Sequence, residues 1–148
     1  MRMFLTLGPI GFLSGGGTWA SLIAMLAAYA IGFFTWPFVY QLVTLILLFC
    51  AAMWAIIYTK NQFGQRRDPA EIVIDEVVGV FLVFLGLPLT SARIVAGLLL
   101  FRLFDIYKPW LVTRSEQLPH AWGIMLDDCV AAFFSWCLLH IMCAIGWL

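Results

Sequence analysis

Apolar residues run along this chain in long unbroken blocks, and glycine, proline and short polar stretches cut the blocks apart. Such runs read as helices; the strands of a closed barrel would alternate apolar and polar positions. The first block predicts a helix from about Thr18 to Phe34, with the chain turned by Trp36-Pro37. A second runs from about Phe38 to Tyr58 and stops at Lys60, where the polar stretch KNQFGQRRD (Lys60 to Asp68) begins. A third is expected to start at Pro69, with Asp68 as N-cap and Glu71 at the third position, and to end before Pro88. The fourth begins near Thr90-Ser91 and ends before Pro109, because the residue ahead of a proline disfavours the helical conformation. A second polar loop covers Lys108 to His120, and the last helix occupies roughly Ala121 to Trp147. No repeat or low-complexity segment divides residues 1–148, so a single domain is expected. The opening segment MRMFLTLGPIGFLSGGG has one Arg and a short apolar run, but no A-x-A-like cleavage site follows, and it is expected to be retained.

Composition decides what solvent these helices meet. The 148 residues are 64% hydrophobic and 11% charged, with a mean hydropathy of +1.02. A chain this short has too little interior to hide so much apolar surface from water. The expected fold class is therefore all-α: a polytopic integral membrane bundle of about five spans, with four spans plus a re-entrant segment as the alternative. The basic residues Lys60, Arg66, Arg67, Lys108 and Arg114 fall in two loops that five spans place on one side, together with Arg2; Arg93 alone is left near the other. By the excess of basic residues in inner loops, the N-terminus is cytoplasmic. No basic tail points to nucleic acid. The four cysteines lie within apolar runs without CxxC spacing and are read as packing residues, as is His140.

The few charges carry the chemistry. Only eleven uncharged residues separate Glu76 from Pro88, and eight separate Arg93 from Arg102. Those stretches amount to about 17 Å and 12 Å of helix, against a hydrocarbon core of roughly 30 Å. Asp75, Glu76, Arg102 and Asp105 are thus drawn below the membrane surface, where charged groups mark functional sites. Twenty residues without formal charge follow Asp127 and Asp128, which sets that pair at the inner boundary. Neighbours on a helix point about 100° apart, so one of the two is expected to face inward with full effect. Asp75, Glu76, Asp105, Asp127 and Asp128 then meet at one level, and oxygen ligands without a His or Cys cluster suit Mg²⁺ or Mn²⁺. Arg102 and Lys108 supply cations for a phosphate. The run SGGGT, Ser14 to Thr18, offers a helix N-terminus to an anion. Gly79, four residues after Asp75, opens space beside it for a helix or a ligand.

The blocks DPAEIVIDEVVG (Asp68 to Gly79), FRLFDIYKPW (Phe101 to Trp110) and GIMLDD (Gly123 to Asp128) resemble the three main motifs of the phosphatidylglycerophosphatase A family. GGTWAS, Gly16 to Ser21, resembles its first motif. Gly16, Ala20, Leu111 and Ala132 depart from the family pattern, as does His120-Ala121-Trp122, but no motif carboxylate or cation is missing. The resemblance implies Mg²⁺-dependent removal of the terminal phosphate from phosphatidylglycerophosphate in the bacterial cytoplasmic membrane. Asp75, Glu76, Asp105, Asp127 and Asp128 are the expected catalytic residues, with Asp75, Glu76, Asp127 and Asp128 as metal ligands and Thr18, Arg102 and Lys108 on the substrate. Attack by water and a covalent aspartyl-phosphate on Asp75 or Asp127 both remain open at this point, as does oligomeric state. An ion-coupled transporter would spread its charges through the midplane. A CDP-alcohol phosphotransferase would carry a longer acidic signature, and a structural subunit would not need buried acids.

Overall fold

A computed structural model describes residues 2–13, 15–59, 72–118 and 121–148. Every regular element among them is helical: α1 (Arg2–Leu5), α2 (Gly16–Ala30), α3 (Phe38–Thr59), α4 (Ile74–Val83), α5 (Ser91–Tyr107), α6 (Trp110–Glu116) and α7 (Ala121–Ala144), with short 3₁₀ turns at Ile10–Phe12 and Phe33–Thr35. α3 and α7 are long and apolar enough to cross a bilayer, with mean hydropathies of 2.3 and 1.6 over their best windows, and α2 is a shorter apolar helix. Large apolar side chains are exposed on α2, α3, α5 and α7. Apolar surface of that extent is what lipid contact produces and water does not tolerate.

The helices pass back and forth around α4. Gly17 of α2 meets Glu76 at the start of α4, and Phe33, just beyond α2, meets Phe81 near its end; the two therefore run in the same direction. α7 also runs with α4, because Asp128 meets Asp75 and Trp136 Nε1 donates to Leu85 O at 2.9 Å. α5 runs against both. Its Phe101 ring fills the notch left by Gly79, and the Phe84 ring fills the notch at Gly97. The space that Gly79 was expected to open is thus taken by a neighbouring helix. A methyl group on Gly79 would lie 2.5 Å from Cζ of Phe101, a ring that is fully buried and has nowhere to retreat. Gly79→Ala is expected to lower stability by about 1–2 kcal/mol, overpacking outweighing the better helix propensity of alanine. A lower thermal midpoint in detergent checks this.

Several polar bonds gather at the end of the bundle away from Asp75. Gln41 donates to Trp36 O and accepts from the Gly86 N–H, both at 2.9 Å. Arg93 donates to Pro88 O at 2.8 Å and to Leu148 O at 3.2 Å. His140 donates from Nδ1 to Trp136 O at 2.9 Å, the packing role expected of it. Thr90 caps α5 as expected, its hydroxyl accepting from the Arg93 N–H.

Two expectations are corrected. The third helix does not run on from Pro69: Ile72 and Val73 precede its first turn, and the Val73 N–H donates to Leu5 O at 2.9 Å. A backbone group tied to α1 in that way is not available to a helix. The proposed cap of Asp68, Pro69 and Glu71, like the loop from Lys60, lies outside the described residues. The stretch after Lys108 is not a plain loop either, since it contains α6. That helix turns Val112 and Ser115 into the bundle against α7 and leaves Trp110 outside, with the Arg114 guanidinium 4.1 Å from its ring centroid.

Candidate active site

The carboxylates meet where α2, α4 and α7 begin and α5 ends. Asp75 and Glu76 occupy the first turn of α4, and Asp127 and Asp128 lie two turns into α7. Asp75, Asp127 and Asp128 are 6%, 4% and 5% exposed, while Glu76 and Asp105 are half-buried. Oxygens of Asp75, Glu76 and Asp128 come within 4.8 Å of one another. Asp127 stands outside that trio, with its Oδ2 2.9 Å from Lys108 Nζ. Both members of the α7 pair nevertheless line the same cavity, so the expected contrast between an inward and an outward residue is not what is found.

The cations are paired with the carboxylates, and of the two Lys108 lines the cavity whereas Arg102 is not among the residues that line it. Arg102 Nη1 lies 2.9 Å from Asp105 Oδ2, one turn along α5, and 3.9 Å from Glu76 Oε1. Lys108 closes α5 with a left-handed backbone (φ 41°, ψ 67°), a conformation uncommon outside glycine and asparagine. That turn sends the chain into Pro109 and places the amino group on Asp127 rather than farther along the helix axis. Outliers of this kind often accompany functional positions.

The glycine run supplies the third wall. Gly15 caps α2 in the left-handed region, at φ 73°, which a side chain would oppose. Gly15, Gly16 and Gly17 line the cavity together with the carboxylates. Gly17 lies so close to Glu76 and Arg102 that a β-carbon there would collide with the carboxylate. Ser21, one turn later, donates to the Gly17 carbonyl at 2.9 Å and is buried. Thr18 is exposed and is not among the residues lining the cavity, and Ser14 lies outside the described residues. The sequence had offered Gly17 only as part of a glycine-rich run; its contact with Glu76 was not legible there.

The cavity has a volume of about 630 Å³. Its acidic wall fits a divalent cation. Three carboxylates held so close repel one another unless a cation lies among them, and oxygen-only donors suit Mg²⁺ or Mn²⁺ over zinc. Asp128 Oδ2 and Glu76 Oε2 are buried and accept no hydrogen bond, so each has an oxygen available as a ligand. Among the described residues no His or Cys joins the cluster, and the four cysteines are free thiols on α3 and α7.

Comparison with known proteins agrees with this chemistry. The family model for phosphatidylglycerophosphatase A matches residues 3–143. The chain is 31% identical over 140 residues to the phosphatidylglycerophosphatase A of Escherichia coli, covering 90% of this chain and 80% of that one. It is 34% identical over 139 residues to the phosphatidylglycerophosphatase A of Haemophilus influenzae, covering 85% and 80%. A Bacteroides thetaiotaomicron protein provisionally named a phosphatidylinositol-3-phosphatase is 34% identical over 132 residues, covering 84% and 81%. No solved structure matches the chain significantly. With the match running through all of the motifs that form the acidic cavity, this chain belongs to the phosphatidylglycerophosphatase A family.

Proposed function

We propose that this chain hydrolyses the terminal phosphate monoester of phosphatidylglycerophosphate, yielding phosphatidylglycerol, with Mg²⁺ as its cofactor. The observation that carries the reading is the close trio of Asp75, Glu76 and Asp128, which lines one cavity with Lys108 and has Arg102 beside Glu76. Negative groups that hold a cation and positive groups that hold phosphoryl oxygens are what phosphate-ester hydrolysis requires, and no thiol nucleophile is needed. Asp75, Glu76 and Asp128 would hold the metal, which when bound neutralises phosphoryl charge and lowers the pKa of a coordinated water. Arg102 and Lys108 orient the phosphate oxygens, and the amide end of α2 at Gly15 to Gly17 adds a favourable dipole for them. Asp127, beside the trio and anchored by Lys108, accepts the proton of the attacking water.

The active site faces the cytoplasmic leaflet of a bacterial inner membrane. The basic residues that follow α3 and α5 in the sequence, both of which end on the site's side, support that orientation, with the N-terminus inside. α2, α4 and α5 join α3 and α7 at membrane depth, giving five helices in the bilayer. The short α4 is tolerated there because its neighbours satisfy its end, as Gln41 and Trp136 do at Gly86 and Leu85.

Purified protein is expected to release phosphate from phosphatidylglycerophosphate with Mg²⁺ and to stop when the metal is chelated. Phosphatidic acid and phosphatidylinositol-3-phosphate are expected to turn over more slowly; faster release from either would reassign the substrate. Single turnover of substrate carrying ³²P in its terminal phosphate, quenched in acid, is expected to leave no label on the protein. Hydroxylamine-labile ³²P on the protein would replace water attack with an aspartyl-phosphate.

A further inference from the structure

The wall of the acidic cavity is not acidic throughout. Leu13, following the 3₁₀ turn Ile10–Phe12, and Ile106, in the last turn of α5, both line it. They remain 53% and 71% exposed. Ile106 directly follows Asp105, so one turn of α5 presents a carboxylate and a branched apolar side chain to the same space. Phe12 lines the cavity beside Leu13 and is likewise exposed. The turn that carries Phe12 and Leu13 is held against α2: a β-carbon on Gly16 would lie 2.9 Å from Ile10 O. The apolar rim is therefore fixed relative to the glycines and carboxylates.

A different apolar feature lies elsewhere, a crevice of about 210 Å³ lined by Leu45, Ile46, Phe49, Val78, Leu82 and Cys129. It contains no charged residue, so nothing in it would hold a phosphate. The rim shares its cavity with the carboxylates and Lys108, so of these two spaces it is the one that presents both halves of an amphipathic ligand's requirement.

We infer that Leu13 and Ile106, with Phe12, form the subsite for the first methylenes of the substrate's acyl chains, so that the lipid enters between the Ile10–Phe12 turn and the end of α5 with its phosphate inward. This rests on the phosphatase reading above and adds the route and the preference for an acylated substrate. Exposed apolar side chains at the mouth of a charged cavity gain burial only when an apolar chain lies across them. A rim that merely faced bulk lipid would not distinguish an acylated substrate from its deacylated head group.

The test compares dihexanoyl phosphatidylglycerophosphate with its deacylated head group, glycerophosphoglycerophosphate, at a fixed detergent concentration. The acylated-to-deacylated ratio of kcat/KM is expected to fall by about tenfold in the double variant L13S/I106S relative to wild type. An unchanged ratio, with both substrates affected alike, would overturn the subsite. A second arm uses wild-type protein and a phosphatidylglycerophosphate with a diazirine near the carbonyl end of its acyl chain. Photolabel is expected on the peptides containing Leu13 and Ile106; label on Leu45 or Leu82 instead would move the acyl chain to the other crevice and overturn the proposal. If wild type releases no phosphate from either substrate, the phosphatase reading falls, and the photolabel still decides the rim by itself.

Discussion

Asp128→Asn is expected to reduce phosphate release by on the order of 10³-fold or more, the scale of losing a principal electrostatic group of an active site. Asp128 belongs to the trio, is almost fully buried, and has an oxygen without a hydrogen-bond partner. An amide in its place offers a weaker ligand and removes a negative charge opposite the cation. The same change should not weaken the fold. Without metal, three carboxylates within 4.8 Å of one another repel in a poorly solvated place, and removing one charge relieves that strain. The metal-free variant is therefore expected to melt at or above the wild-type midpoint, whereas added Mg²⁺ should raise the midpoint of wild type far more than that of the variant. Thermal unfolding in detergent with and without Mg²⁺, run beside the phosphate assay, measures both. A variant with wild-type turnover would remove Asp128 from the reaction. One that lost activity because it no longer folded would show a lowered midpoint.

Gly17→Ala is the second large effect. The added methyl collides with the end of the Glu76 side chain and presses on Arg102. A flexible side chain is the part that yields, so Glu76 swings away and the backbone stays. Misplacing a reactive-site group by about 1 Å is enough to lower activity by about 10²-fold. Stability should hold or rise, since alanine inside a helix is favoured over glycine by about 1 kcal/mol. The contrast with Gly79→Ala is informative. There the neighbour is the buried Phe101 ring, and the penalty falls on folding instead. Activity lost with stability retained at Gly17, and stability lost at Gly79, would separate the two kinds of close contact. Equal thermal losses at both positions would show that Gly17 is only a packing residue.

Much of the fold could be read from the chain because its signals are local. The block Phe38 to Tyr58 became α3, within one residue of Phe38–Thr59, since an unbroken apolar run between a proline and a lysine leaves little choice. Thr90 before Ser91 announced the start of α5 through the side-chain bond that it makes. The misread start of α4 had a non-local cause: the Val73 N–H is bound to Leu5, nearly seventy positions earlier, and no window of sequence contains both. α6 escaped notice because seven residues give too few turns for periodicity to show, and its buried Val112 and Ser115 are only three apart. At the site, the convergence of the acids followed from helix spacing and from where charge can stand in a membrane. The division of labour did not. That Asp127 pairs with Lys108 while Asp128 joins Asp75 and Glu76 depends on the left-handed turn at Lys108 and on the rotation of α7, both products of tertiary packing.

The polar bonds away from the site have a mechanical consequence. Gln41 joins the Trp36 turn to the Gly86 turn, Trp136 ties α7 to the end of α4, and Arg93 binds the Pro88 and Leu148 carbonyls. At the opposite end α5 is joined to α4 and α7 by ion pairs, Arg102 to Glu76 and Lys108 to Asp127, beside the buried contacts of Leu5, Val73 and Val112. The two ends are thus joined by different chemistry, hydrogen bonds to the backbone at one and ion pairs at the other, and it is the second kind whose partners a bound phosphate or cation can replace.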